Sequence, residues 1–230
     1  MLIIDTLLAI RQMPYYKNVQ SSSGLVHGGG GHEAAICSVL IEQGYKKWEN
    51  WDTMPDKCRF RNLVRMREWI DTPSLSSMMP VGTFVEQPFG TNDAPDFYIK
   101  VTDNFIMPLE AKSSSNYIPM WNSGKPKPDF VYAFCSEKTD KTTLFKGESI
   151  LSYEQSRMIN EHIEKHRKDD EELNYKLKQL DINHRGISYY TRPMIQQSGG
   201  ADFTNYFTHP NREQDEQLVF DWVNEKIKQT

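Results

Sequence analysis

The sequence predicts an α/β protein, a mixed central β-sheet flanked by helices and carrying a helical insertion. Three observations predict it. Short runs rich in aromatic and β-branched residues cluster between residues 82 and 145. Segments with helical spacing of apolar residues lie on both sides of them. From Ser149 to about Ile182 there is no proline or glycine, which favours one long helical stretch.

In order along the chain, residues 3–13 place Ile4, Leu7, Leu8 and Arg11 at helical spacing, and Pro14 ends the helix. A loop from Tyr15 to Gly31 follows, with Gly28 to Gly31 in a row. Four glycines permit close approach to a phosphate, and equally make a flexible connection. His32 to Gln43 is a second helix, with Ile36, Val39 and Leu40 on one face and Gly44 as its stop. Phe60 to about Ile70 is a third, and Asp71 to Pro80 a Ser- and Pro-rich loop. Gly82 to Phe89 is a strand leading into a hairpin. Its arms are Phe97–Val101 and Phe105–Leu109, and Asp103-Asn104 makes a two-residue turn. A straight count from that turn pairs Thr102 with Phe105 and Phe97 with Glu110, and sets Asp96 opposite Ala111. Phe130–Cys135 and Thr142–Phe145 are further strands.

The polar middle of the long helical stretch, His162 to Glu172, is either an exposed turn between two helices or a projecting arm. Regular apolar heptads are missing, and His162, His166 and His184 lack the spacing of a metal site and read as solvated. Ile187 begins as a strand and becomes a polar loop, and residues 213–228 form a closing helix with Leu218, Val219, Trp222 and Ile227 inward.

Composition narrows the classes. A length of 230 residues suits a single domain: a core of about 30–148, an arm of about 149–183 and a C-terminal segment of about 187–230. No run of 18 apolar residues is present, and the N-terminus does not resemble a signal peptide, so a cytoplasmic protein is expected. Cys37, Cys58 and Cys135 are odd in number and widely spaced, which suits reduced thiols. The net charge of −4 weighs against generic nucleic-acid binding but not against a locally basic, specific site.

The chemistry concentrates between Asn92 and Asn116. Alternation along a strand points Glu110 and Lys112 one way and Ala111 the other. Asp96 lies a step from Glu110, so two carboxylates can share one cation beside an ammonium. Carboxylate oxygens suit Mg²⁺, and a bound Mg²⁺ acidifies water and neutralises charge on a phosphate. A surface hairpin with solvated polar residues is the plainer reading of the same pattern.

Pro95-Asp96, the 14-residue step to Glu110, and Lys112 resemble the PD-(D/E)xK nuclease signature, as found in type II restriction endonucleases. The likeness continues through Lys112-Ser113-Ser114, the polar loop Pro119-Met120-Trp121-Asn122-Ser123-Gly124, and Lys127-Pro128-Asp129 leading into Phe130. It covers about residues 30–135. The resemblance implies a restriction-endonuclease-like fold and Mg²⁺-dependent, site-specific cleavage of double-stranded DNA leaving 5′-phosphates. It also implies a homodimer acting on a short palindrome, and a companion DNA methyltransferase in a restriction–modification system of a prokaryotic cell or its virus. Asp96, Glu110 and Ala111 would hold the metal, and Lys112 would position or activate water. Glu33, on the second helix, would assist, though a first-turn glutamate also complements a helix dipole.

Candidate DNA contacts follow from residue type. Arg59, Arg61 and Arg65, in a basic cluster that also holds Lys57 and Arg67, suit phosphate clamping or a solvated helix face. Ser113, Ser114, Asn116, Asn122, Lys125 and Lys127 follow the catalytic strand. Arg192, Gln196, Gln197, Asn205 and Arg212 carry the groups that read guanine and adenine edges, or pack as an ordinary loop. Two other functions stay open: a repair or recombination nuclease of the same fold, and a non-catalytic DNA-binding module.

Overall fold

The computed structural model describes residues 2–16, 31–53, 78–90, 93–121, 124–191, 194–197 and 200–229. The expected helix at 60–70 with Arg59, Arg61 and Arg65, the glycine loop at 17–30, Asn122 and Arg192 lie outside them.

Six strands form one mixed sheet in sequential order: β1 (Lys46–Lys47), β2 (Thr83–Glu86), β3 (Phe97–Thr102), β4 (Phe105–Ser114), β5 (Val131–Ser136) and β6 (Lys141–Lys146). The β1–β2 and β4–β5 pairs are parallel and the other three antiparallel. Helices α1 (Leu2–Arg11), α2 (Gly31–Glu42) and α6 (Arg212–Lys228) cover one face. Ile3, Leu7 and Ile10 fall at helical spacing on α1, and Ile36 and Leu40 on α2. They pack with Val219 and Val223 of α6 against Phe97, Ile99, Met107, Leu109 and Val131. Gly44 ends α2 with φ +94°, and the Tyr45 and Gly44 amides turn back to Leu40 and Ile41 in a Schellman motif.

The opposite face is aromatic. Trp51, Tyr98, Trp121, Tyr132, Phe134, Phe145 and Tyr206 make a second core, drawn from β3, β5 and β6 together with the 3₁₀ turn Glu49–Thr53, the loop after β4 and the segment before α6. Tyr132 and Phe145 stack at 5.2 Å, and Trp121 meets Tyr132 edge-on at 5.4 Å. The parallel β4–β5 step is made through residues 115–130.

The closing turn of that connection depends on Gly147, the first residue of α3 (Gly147–Ile150). A Cβ there would lie 1.9 Å from the Lys127 carbonyl oxygen, so backbone would have to move. Gly147→Ala is expected to destabilise the chain by about 1–3 kcal/mol, read from urea unfolding midpoints. An unchanged midpoint would show that this approach is not tight.

Five expectations change. On α1 the buried face is Ile3, Leu7 and Ile10 and not Ile4, Leu7, Leu8 and Arg11: Leu8 is exposed and Arg11 pairs with Glu216 at 3.2 Å. The hairpin is not a straight ladder: Thr102 pairs with Phe105 as counted, but Phe97 pairs with Leu109 rather than Glu110. A β-bulge between Lys100 and Thr102 adds Val101, and the Lys100 ammonium donates to the Asp103 carbonyl across it at 2.8 Å. The helical stretch is broken at Leu151–Ser152, after which α4 (Tyr153–Gln179) runs as one 27-residue arm. A capping box between Ser152 and Gln155 starts it. Residues 187–191 form no strand and lie along α4, where the Tyr189 and Thr191 amides donate to the side chains of Asn174 and Asp170. On α6, Leu218 faces outward, while Phe220 and Val223 join Val219 in the core. A short helix, α5 (Ala201–Thr204), precedes α6.

Candidate active site

The bulge decides the geometry of the acid pair. Directly opposed residues of a ladder project to the same face. The straight register would therefore put Asp96 with Ala111, on the helix-covered face. Removing one residue from the count sets Asp96, one step beyond the Phe97–Leu109 pair, across from Glu110. Alternation does the rest: Leu109 and Ala111 enter the helix-side core, while Glu110 and Lys112 point to the aromatic face.

Asp96 is fixed at both ends. Its carbonyl accepts from the Gln87 amide at 2.6 Å, and its carboxylate Oδ2 accepts from the Ala111 amide at 2.8 Å. Glu110 Oε1 accepts from the Lys112 ammonium at 2.7 Å. Glu110 Oε2 is buried with no hydrogen-bond partner. A buried carboxylate oxygen without a donor is costly, and a cation is the partner that would satisfy it.

The electrostatics agree with that geometry. Burial, then the negative charge of Glu110, raise the Asp96 carboxyl to about 8, against the Ala111 amide and the Lys112 ammonium. Burial alone would lower the Lys112 ammonium, but Glu110, Asp96 and Glu33 outweigh it and hold it above its ordinary value. The charge of Glu33 acts on both Asp96 and Lys112, so the first turn of α2 lies beside the hairpin. The structure thus brings Asp96, Glu110 and Lys112 together, with the Ala111 amide on Asp96, while Glu33 on α2 acts on Asp96 and Lys112 through its charge.

The donor set fits a hard cation that keeps most of its waters. Among the described residues no three His, Cys, Asp or Glu side chains gather as a metal site. Asp96 and Glu110 offer two carboxylates, the number with which Mg²⁺ is usually held.

Three further residues take places that the sequence does not announce, Trp121 and Tyr132 near the cluster and His32 at the start of α2. The Trp121 ring centre lies 5.9 Å from the Lys112 ammonium, and its indole N–H donates to Gln197 at 3.2 Å. The Tyr132 hydroxyl accepts from the Lys127 amide at 2.8 Å; burial, then the charges of Glu110 and Asp96, raise it well above its ordinary value. His32 is buried against the Ala133 carbonyl at 3.0 Å, and burial lowers it to about 4, which keeps it neutral. None was legible beforehand, because each is placed by contacts distant in the chain.

The candidate DNA contacts divide. Ser113, Asn116 and Gln196 are exposed. Lys125, expected to reach a groove, is buried with its ammonium on the Ser156 carbonyl and hydroxyl of α4. Lys127 lies over the Phe130 ring at 5.0 Å, and Ser114 fixes the turn through Asn116 and Ile118. Gln197, expected to read a base, accepts from Trp121 and from the Tyr206 hydroxyl at 2.8 Å. Asn205 caps the Phe207 amide, and Arg212 pairs with buried Glu216 at 3.1 Å. Those side chains are used inside the protein. Comparison with protein families, with curated proteins and with solved structures finds no match to this chain.

Proposed function

We propose that the chain is a Mg²⁺-dependent type II restriction endonuclease with a restriction-endonuclease-like fold, cutting double-stranded DNA at a short palindromic site. One observation carries the reading. Two carboxylates and a lysine occupy one sheet face, with one buried oxygen of Glu110 left for a cation.

Asp96, Glu110 and the Ala111 main chain would hold the metal. When bound, Mg²⁺ acidifies a water and neutralises charge on the scissile phosphate. Lys112, ion-paired to Glu110, orients water and offsets transition-state charge. Glu33 adds negative charge at the entry of α2 and shares in placing water. The bases are read by the exposed set, Ser113, Asn116 and Gln196, together with Arg192 and Asn122, and phosphates by Arg59, Arg61 and Arg65. The enzyme acts as a homodimer, since two-fold protein symmetry matches a palindrome. A separate methyltransferase protects the same site.

Digestion of unmethylated phage DNA tests this. Discrete fragments that DNA ligase rejoins are expected, since rejoining needs 5′-phosphates. A smear would favour a structure-directed repair nuclease, and intact DNA that is nevertheless bound would favour a non-catalytic module.

A further inference from the structure

The arm is the largest feature the site does not use. Of the 27 residues of α4 only Ser156 is buried, and Met158, Leu173 and Leu180 are 60%, 41% and 74% exposed. Exposed apolar side chains aligned on a helix mark a contact surface. Ile159, Leu173, Leu177 and Leu180 share one side of α4 with His162 and His166, whose Nε2 atoms lie 2.9 Å apart. Between this side and Tyr189, Tyr190, Thr191 and Met194 runs an open groove of about 830 Å³, walled also by Ile163.

Charge along the arm is reversed about its middle. Lys165-His166-Arg167-Lys168 is followed directly by Asp169-Asp170-Glu171-Glu172. A two-fold axis crossing α4 between Lys168 and Asp169 brings the basic block of one copy against the acidic block of another. Residues equally far from the axis then share a level. Lys165 meets Glu172 of the second copy, and Glu161 meets its Lys176, all four on the same flank of the helix. The apolar positions match as well. Met158 falls one residue, about 1.5 Å along the axis, from Leu180 of the second copy, and both are exposed, whereas Ile159 and Ile163 are half-buried facing residues 189–191 of their own chain.

We propose that α4 is the homodimer contact, paired antiparallel with α4 of a second copy about this axis. The contact is isologous, so it closes at two copies. It follows from the arm alone and is independent of whether the hairpin cleaves DNA.

Charge reversal with exchange tests it. Lys165→Glu with Lys176→Glu makes one chain acidic on that flank, and Glu161→Lys with Glu172→Lys makes another basic. By light scattering at tens of micromolar the wild type is expected at twice the 26.8 kDa of one chain. Each variant alone is expected at the single-chain mass, with unchanged far-ultraviolet dichroism, and an equimolar mixture of the two at the doubled mass. Asp169→Cys, beside the axis, is expected to form an intermolecular disulfide above the wild-type background. A wild type of single-chain mass, variants that dimerise alone as the wild type does, or no added cross-link would overturn the proposal.

Discussion

Replacing Glu110 by glutamine is expected to lower DNA cleavage by roughly 10³-fold or more, with the fold intact. Glutamine keeps the size and one acceptor oxygen but removes the negative charge that both a cation and Lys112 require. Asp96→Asn is expected to fall as far, since its amide oxygen can still accept from Ala111 while the second anionic ligand is lost. The two losses do not add, because both remove one cation site. Cleavage of supercoiled plasmid by the two single variants and the double variant is the measurement. A double variant as active as the wild type would leave the hairpin without a catalytic role.

The second large effect is on stability. Asp96 titrates near 8 when folded and near 3.8 in its ordinary state, so the folded chain binds the extra proton between those values. A raised carboxyl favours the folded state at low pH. That contribution is complete below the ordinary value and is lost as pH rises through the folded one. The metal-free chain is expected to lose stability from pH 4 to 8, with a slope from this group of at most about 1.4 kcal/mol per pH unit. Asp96→Asn should remove that slope and be the more stable protein at pH 8. Mg²⁺, binding only the folded state, should restore the wild type at pH 8 and leave the variant unchanged. Denaturant unfolding at several pH values, with and without Mg²⁺, measures both. Identical slopes in the two proteins would mean that Asp96 is not held as a raised, buried acid.

Much of this architecture is legible in the sequence. The first helix, the Gly44 stop, the two hairpin arms and the β5 and β6 runs are local patterns that packing reinforces, although the inward face of α1 is Ile3, Leu7 and Ile10 and not Ile4, Leu7, Leu8 and Arg11. The acid–lysine group was legible too, because its members are neighbours on one hairpin. Its register was not. A bulge at Val101 carries no glycine or proline to announce it, yet it decides which face Asp96 occupies. The arm shows why polarity misleads: i,i+4 ion pairs such as Arg157–Glu161 and Lys176–Glu172 support a helix with little apolar content. The DNA-reading set was the least legible. Residue type identifies Lys125, Gln197 and Arg212 as suitable donors and acceptors, but partners distant in the chain, Ser156, Trp121 and Thr143, have already engaged them.

The most direct test of the central claim is cleavage itself. Unmethylated phage DNA is incubated with the purified wild-type chain in Mg²⁺ and, side by side, in EDTA. The acid pair and its unpartnered Glu110 oxygen predict cutting in Mg²⁺ and intact DNA in EDTA. Intact DNA in both at every enzyme concentration, or equal cutting in both, would contradict it.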